Sequence, residues 1–358
     1  MLAGNTLSSR FVRHDSPLPF STQRFHRVWI RHAAACTPAG SARETLEAVF
    51  SGTCALTLDQ QWGWLGPIPQ YPNLRELAHA AADPCWFAAT QRALLNDDHP
   101  ASWPGLIASV SKGDTGAWLD TASDLASNFI RGLPGRLAGD MARSWGLRAF
   151  HGAPPVGACA TGIFALCDGA QLIEDGRCQW AIAGAADHSL QNLLLAGFRS
   201  LGVLCGSTPP QAHAQPTGFA PACGAGFFQL ANQPSSTQDW QLLAGVRLGD
   251  ASHETRCDDP AVLQRLLQSL WQHCPQPDII VVHGTGTAAG DASELAALNH
   301  GPWADVPRLC CKPIIGHSLG ANAAVELAVA LHGPWQRVWK IALGFSGHLG
   351  GVALSRQQ

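Results

Sequence analysis

Apolar and polar positions along this chain predict two successive series of strand, turn and helix. A short β-prone run, Arg27-Val28-Trp29-Ile30, leads through Cys36-Thr37-Pro38-Ala39-Gly40 into helical spacing over 41–51. The Trp-, Gly- and Pro-rich stretch 60–72 reads as a loop. Residues 74–82 and 85–95 have helical spacing, and Leu106-Ile107-Ala108-Ser109-Val110 has the composition of a buried strand. Helical periodicity over 117–145 breaks at Leu133-Pro134-Gly135, and a Pro/Gly approach at 152–157 precedes a helix over 160–174 that Gly176 stops. A strand over 179–184, an apolar segment at 190–198, a flexible loop at 209–221 and a strand at Phe227-Phe228-Gln229-Leu230 complete the first series.

Composition turns polar over 234–239, and the second series follows. It comprises a β-prone run at 242–248, a helix over 261–273, the apolar strand Asp278-Ile279-Ile280-Val281-Val282, helices over 292–300 and 321–331, and β-prone runs at 338–343 and 351–354. The expectation is an α/β chain with a loose extension at 1–26, a first half at 27–234 and a second half at 235–358. No sequence repeat marks one half as a copy of the other.

With 46% hydrophobic and 14% charged residues among 358, the chain can bury one large core or two fused ones. A net charge of -3, with no Lys/Arg block longer than two residues, argues against nucleic acid as a partner. The twelve cysteines contain no Cys-x-x-Cys, so neither a zinc-finger spacing nor a redox dithiol is present, and most are expected to be small buried thiols. Residues 1–26 lack an apolar core of signal-peptide length, and no run reaches the roughly 20 apolar residues of a membrane span. A cytoplasmic protein without a membrane span is expected.

Three segments carry candidate chemistry. Gly157-Ala158-Cys159-Ala160-Thr161-Gly162 places a cysteine at a helix start, where the partial positive charge and free N–H groups lower a thiol pKa and offer donors to an oxyanion. A small buried cysteine on a packed helix fits the same segment. Val281-Val282-His283-Gly284-Thr285-Gly286-Thr287 puts a histidine where an apolar strand gives way to a Gly-rich turn, a common place for functional side chains. A structural histidine satisfied by that turn is the alternative. Asp291 (after Gly290) and Glu294 open a helix, where capping and the helix dipole favour acids, and are read as structural.

The third segment, Lys312-Pro313-Ile314-Ile315-Gly316-His317-Ser318-Leu319-Gly320-Ala321, contains Gly316-x-Ser318-x-Gly320, the nucleophile elbow of serine esterases. An esterase needs its acid and then its histidine downstream, yet only forty residues follow Ser318. The sole acid there, Glu326, lies eight residues along the same helix, roughly 12 Å away by helical rise. His317 makes better sense as the active residue, with Glu326 as the carboxylate partner of a buried Lys312.

Together, Cys159 in Ala-Cys-Ala-Thr-Gly, His283 in Val-His-Gly-Thr-Gly-Thr, and Lys312 to His317 with Leu319-Gly320-Ala321 resemble the β-ketoacyl synthase family. The likeness extends to the Thr37-Pro38-x-Gly40 turn, Leu133-Pro134, Gly218-Phe219, Gly224-Ala225-Gly226 and Gly344-Phe345-Ser346-Gly347. It implies a thiolase-like fold, two similar halves forming a five-layer α-β-α-β-α sandwich, and a dimer. It also implies that Cys159 is the acylated nucleophile, that His283 and His317 assist decarboxylation and stabilise an enolate, and that Lys312 supports them with Glu326. The backbone amides of Cys159 and Phe345 would form an oxyanion hole, with the Phe345 ring as gate. No cofactor or metal is implied, and the substrates would ride on an acyl carrier protein.

The departures from the family pattern are specific. The chain is short for the family, residues 212–217 lack the expected Arg-Pro-Phe-Asp and Arg-Asp, and the closing motif is Gly-Phe-Ser-Gly-His-Leu where Gly-Phe-Gly-Gly-Thr-Asn is typical. Some relatives keep the fold as chain-length-setting partner subunits, so a heterodimer with another ketosynthase-like subunit is the second reading. An acyltransferase or hydrolase that uses Cys159 without condensation is the third.

Overall fold

The computed structural model describes residues 22–90, 103–120, 124–255, 257 and 259–356. Its strands are β1 (Thr22–Arg24), β2 (Trp29–Thr37), β3 (Gly40–Ser41), β4 (Thr57–Asp59), β5 (Gly63–Leu65), β6 (Gly105–Ser109), β7 (Trp180–Asp187), β8 (Gly224–Ala231), β9 (Trp240–Gly249), β10 (Ile279–Val281), β11 (Arg308–Leu309), β12 (Arg337–Gly344) and β13 (His348–Arg356). Near-continuous apolar runs such as β6, β7 and β8 are buried on both faces, as strands covered by helices on either side must be.

The first half forms a sheet of order β2-β8-β7-β6 and the second a sheet of order β11-β10-β12-β13-β9. They join where Trp29 and Ile30 of β2 pair with Gln241 and Trp240 of β9. Helix Asn322–Ala330 is buried along its whole length and Thr161–Glu174 along most of it, and both are rich in apolar residues, which suits a central position. They lie between the two sheets and share one core with both. Helices Leu74–Thr90 and Arg136–Ser144 cover the outside of the first sheet, and Pro260–His273 and Ala288–Leu298 cover the second. The result is the α-β-α-β-α sandwich. The central helices touch closely enough that a Cβ on Gly162 would lie 2.7 Å from the Ala324 nitrogen, so only glycine fits there.

A structural repeat appears that the sequence does not display. Ala158, at φ 46°, opens a one-turn 3₁₀ segment (Ala158–Ala160) into the helix Thr161–Glu174, and Leu319, at φ 44°, does the same through Leu319–Ala321 into Asn322–Ala330. Left-handed backbone at non-glycine residues is strained, and both strained residues lie against the cavity described below.

Several elements differ from the sequence expectation. The chain joins the sheet before Arg27, because Thr22–Arg24 pairs with β9 through backbone bonds that leave no hydrophobic periodicity. Residues 1–21, the rest of the expected extension, lie outside the described residues. Residues 74–90 form one helix through Pro84, since packing of Leu77, Ala81, Cys85 and Trp86 outweighs the lost hydrogen bond, whereas 91–95 lie outside the described residues. The expected loop at 60–72 contains β5, paired with β4. The 209–221 loop is tied down: Gly218 N–H donates to Gly286 O at 2.7 Å, and His213 bonds Asp291 and Glu294. Among the described residues no helix is long and apolar enough to cross a membrane.

Candidate active site

Cys159 sits in the strained turn at the head of a central helix. Thr161 tightens that turn, its hydroxyl accepting from Gly157 N–H at 2.9 Å and donating to Ala158 O at 2.7 Å. The end of β12 packs on the same turn, where a Cβ on Gly344 would lie 2.8 Å from Gly157 O and 3.1 Å from Cys159 N. The Phe345 backbone N–H faces the Cys159 sulfur, where it favours the thiolate.

His317 arrives from the other half. Its backbone is fixed by bonds of His317 N–H to Ala220 O at 2.7 Å and Ala222 N–H to His317 O at 3.0 Å. The ring places Nε2 3.2 Å from Cys159 Sγ, and the His283 ring meets it edge-on at 5.7 Å between centroids. Cys159, His283, His317 and Phe345 thus border one cavity of about 610 Å³, which Lys112 and His348 also line.

Beneath the histidines lies a buried charge cluster. Lys312 bonds both Glu326 oxygens at 3.1 and 3.2 Å and the His283 carbonyl. Lys340, which the sequence reading missed, bonds Glu326 and donates to Val282 O at 2.9 Å. A lone lysine in the apolar run of a central strand is the signal that could have found it. Asp291 and Glu294 do more than cap their helix: Glu294 accepts from His283 N–H at 2.6 Å and Gly284 N–H at 2.7 Å, and Asp291 accepts from Gly286 N–H at 3.0 Å. Among the described residues, His213, Asp291 and Glu294 have ligand atoms within 4.8 Å of one another, as a metal site would, but these atoms already bond one another or backbone N–H groups.

Electrostatics corrects one expectation. Burial pushes the Cys159 thiol up to about 11, against the pull of the Lys112 and Lys312 ammonium groups, so the helix start does not leave a free thiolate. Burial, followed by the Lys312 charge, holds His283 and His317 well below the ordinary histidine value. The resting site is therefore a neutral thiol against neutral imidazoles. Burial opposes charge on both lysines; Glu326 holds Lys312 above the usual lysine value, while Lys340 falls below it.

The esterase arrangement is not assembled. Leu319, not Ser318, is the strained residue; the Ser318 hydroxyl is buried against Gly224, and Glu326 is engaged by two lysines.

Two family models match in sequence order: the β-ketoacyl synthase N-terminal domain over residues 80–234 and its C-terminal domain over 244–334. The chain belongs to the β-ketoacyl synthase family. A relative, the mitochondrial 3-oxoacyl-[acyl-carrier-protein] synthase of Arabidopsis thaliana, is 30% identical over 160 residues, 40% of this chain and 35% of the relative's length. Among solved structures, a type II polyketide-synthase acyl-carrier protein in complex with its ketosynthase bound to the hexaketide (AntDE:AntF) gives a TM-score of 0.77 at 19% identity, covering 93% of this chain and 100% of the other. The ishigamide ketosynthase/chain length factor gives 0.76 at 18% identity, covering 94% and 100%. These likenesses support the thiolase-like fold.

Proposed function

We propose that this ketosynthase joins an acyl group held on Cys159 to a malonyl-type extender with loss of carbon dioxide. The observation that carries the reading is the meeting of Cys159 with His317, Nε2 to Sγ 3.2 Å, and His283 in one cavity. In the first half-reaction His317 takes the Cys159 proton as the sulfur attacks the incoming thioester, and the proton passes to the leaving carrier thiol. The N–H groups of Cys159 and Phe345 receive the tetrahedral oxyanion. In the second, the extender carboxylate leaves as carbon dioxide, and the neutral imidazoles donate ring N–H to the enolate. Its carbon then attacks acyl-Cys159, and collapse of that adduct returns the Cys159 sulfur, which regains a proton.

The substrates on this reading ride on an acyl carrier protein. The partner is a second ketosynthase-like subunit, a copy of this chain or a different one. Trp118, Leu125, Phe129 and Leu133 expose large apolar surfaces on one short stretch, as a subunit contact would.

Intact-protein mass spectrometry after incubation with acyl carrier proteins of several chain lengths tests the reading, with Cys159→Ala as control. The expected result is one acyl adduct that the substitution abolishes, followed by carbon dioxide release when malonyl carrier is added. Acylation without carbon dioxide release would leave plain acyl transfer, and no acylation, even with a second ketosynthase subunit present, would favour the chain-length-setting subunit.

A further inference from the structure

The backbone on either side of His283 is held by four bonds to charged side chains. Glu294 accepts the N–H groups of His283 and Gly284 at 2.6 and 2.7 Å. Lys312 donates to the His283 carbonyl, and Lys340 to the Val282 carbonyl at 2.9 Å. The ring has no comparable tether, because His283 Nδ1 is buried and unpartnered among the described residues. Where the ring points is therefore set by the backbone that carries it and by its contact with His317.

We propose that Lys340 is a positioning residue for His283, the second of two ammonium groups that clamp consecutive carbonyls at the end of β10 and are held together by Glu326. The proposal deepens the condensing reading above and rests on it.

Stability gives little reason for Lys340. Lys312 alone neutralises Glu326, so this ion-paired trio holds one positive charge more than pairing within it requires, with Lys340 and Glu326 both fully buried. An apolar side chain of the same length would avoid that desolvation. What it could not do is hold the Val282 carbonyl or keep positive charge behind the two imidazoles. That charge also works against protonation of both rings, which keeps them neutral hydrogen-bond donors. The geometry further separates the two half-reactions: His317 touches the Cys159 sulfur, so a displaced His283 should hurt the enolate step more than acylation.

The test uses the full chain with Lys340→Met and Lys340→Ala, reading Cys159 acylation by intact mass and carbon dioxide release from malonyl carrier. In Lys340→Met, carbon dioxide release should fall about 10- to 100-fold, the scale of a misplacement of about 1 Å. Acylation should fall at least tenfold less. Lys340→Ala should regain carbon dioxide release with methylammonium chloride but not with sodium chloride at equal ionic strength, because methylammonium refills the ammonium end of the truncated side chain. A merely structural lysine would depress both steps together and ignore the added cation, and either result overturns the proposal. So does undiminished carbon dioxide release in Lys340→Met. A wild-type chain that neither takes up acyl groups nor releases carbon dioxide would instead remove the condensing reading and this role with it.

Discussion

Two substitutions in one buried cluster should differ sharply in their effect on stability. Glu326 is the carboxylate that Lys312 and Lys340 share, and the exposures of the Lys312, Lys340 and Glu326 side chains are 2%, 0% and 0%. Glu326→Gln leaves two ammonium groups without a counter-charge, and breaking a buried pair this way costs about 3–5 kcal/mol. Lys340→Met leaves a one-to-one pair and removes a desolvated charge, a change that ranges from neutral to about 4 kcal/mol stabilising. The Val282 carbonyl loses its ammonium partner, which offsets about 1 kcal/mol of that gain. A chain of 358 residues has an unfolding entropy of about 0.75 kcal/mol per kelvin. Glu326→Gln should therefore lower Tm by about 4–7 °C, and Lys340→Met should shift it by only about -1 to +4 °C. Circular dichroism melts at one scan rate read both. Because the cluster acts as a unit, the double variant should melt higher than the two separate shifts added together imply. If both single variants lose the same amount, the ion-paired trio does not carry a surplus charge and the reasoning fails.

Other outcomes follow from the same geometry. With its thiol raised to about 11 by burial, Cys159 is protonated at neutral pH, so its alkylation by iodoacetamide should speed up about tenfold per pH unit from 7 to 9. Peptide mapping reads this with exposed Cys54 as control, and a plateau below pH 9 would show a thiolate already formed. Gly162→Ala drives a Cβ to 2.7 Å from the Ala324 nitrogen and should cost about 1–3 kcal/mol, seen as a Tm loss of roughly 1–4 °C; an unchanged melt would mean the central helices separate freely. Phe129→Asp places a charge on the exposed apolar stretch and should turn a dimer into a monomer by light scattering. A dimer indifferent to the change would put the subunit contact elsewhere.

The sequence by itself determined the elements whose side chains report their own surroundings. Helices with an apolar face, the apolar strands and the turns before Cys159 and after His283 were legible because burial selects residue type locally. The order of the three motifs also carried the family and its sandwich, which neither periodicity nor spacing establishes alone. Tertiary structure decided what depends on partners distant in sequence. That Lys340 sits beside Glu326 cannot be read from a strand whose neighbours are unknown, and Pro84 reads as a break until the packing around it is seen. Thr22–Arg24 joins the sheet by backbone pairing with β9, and its side chains bond Ser269, Gln171 and His273, polar partners distant in sequence that leave no hydrophobic periodicity. The protonation state of Cys159 was misjudged for the same reason: the helix start is local and visible in the sequence, whereas the burial that outweighs it is the sum of two halves closing on one cysteine.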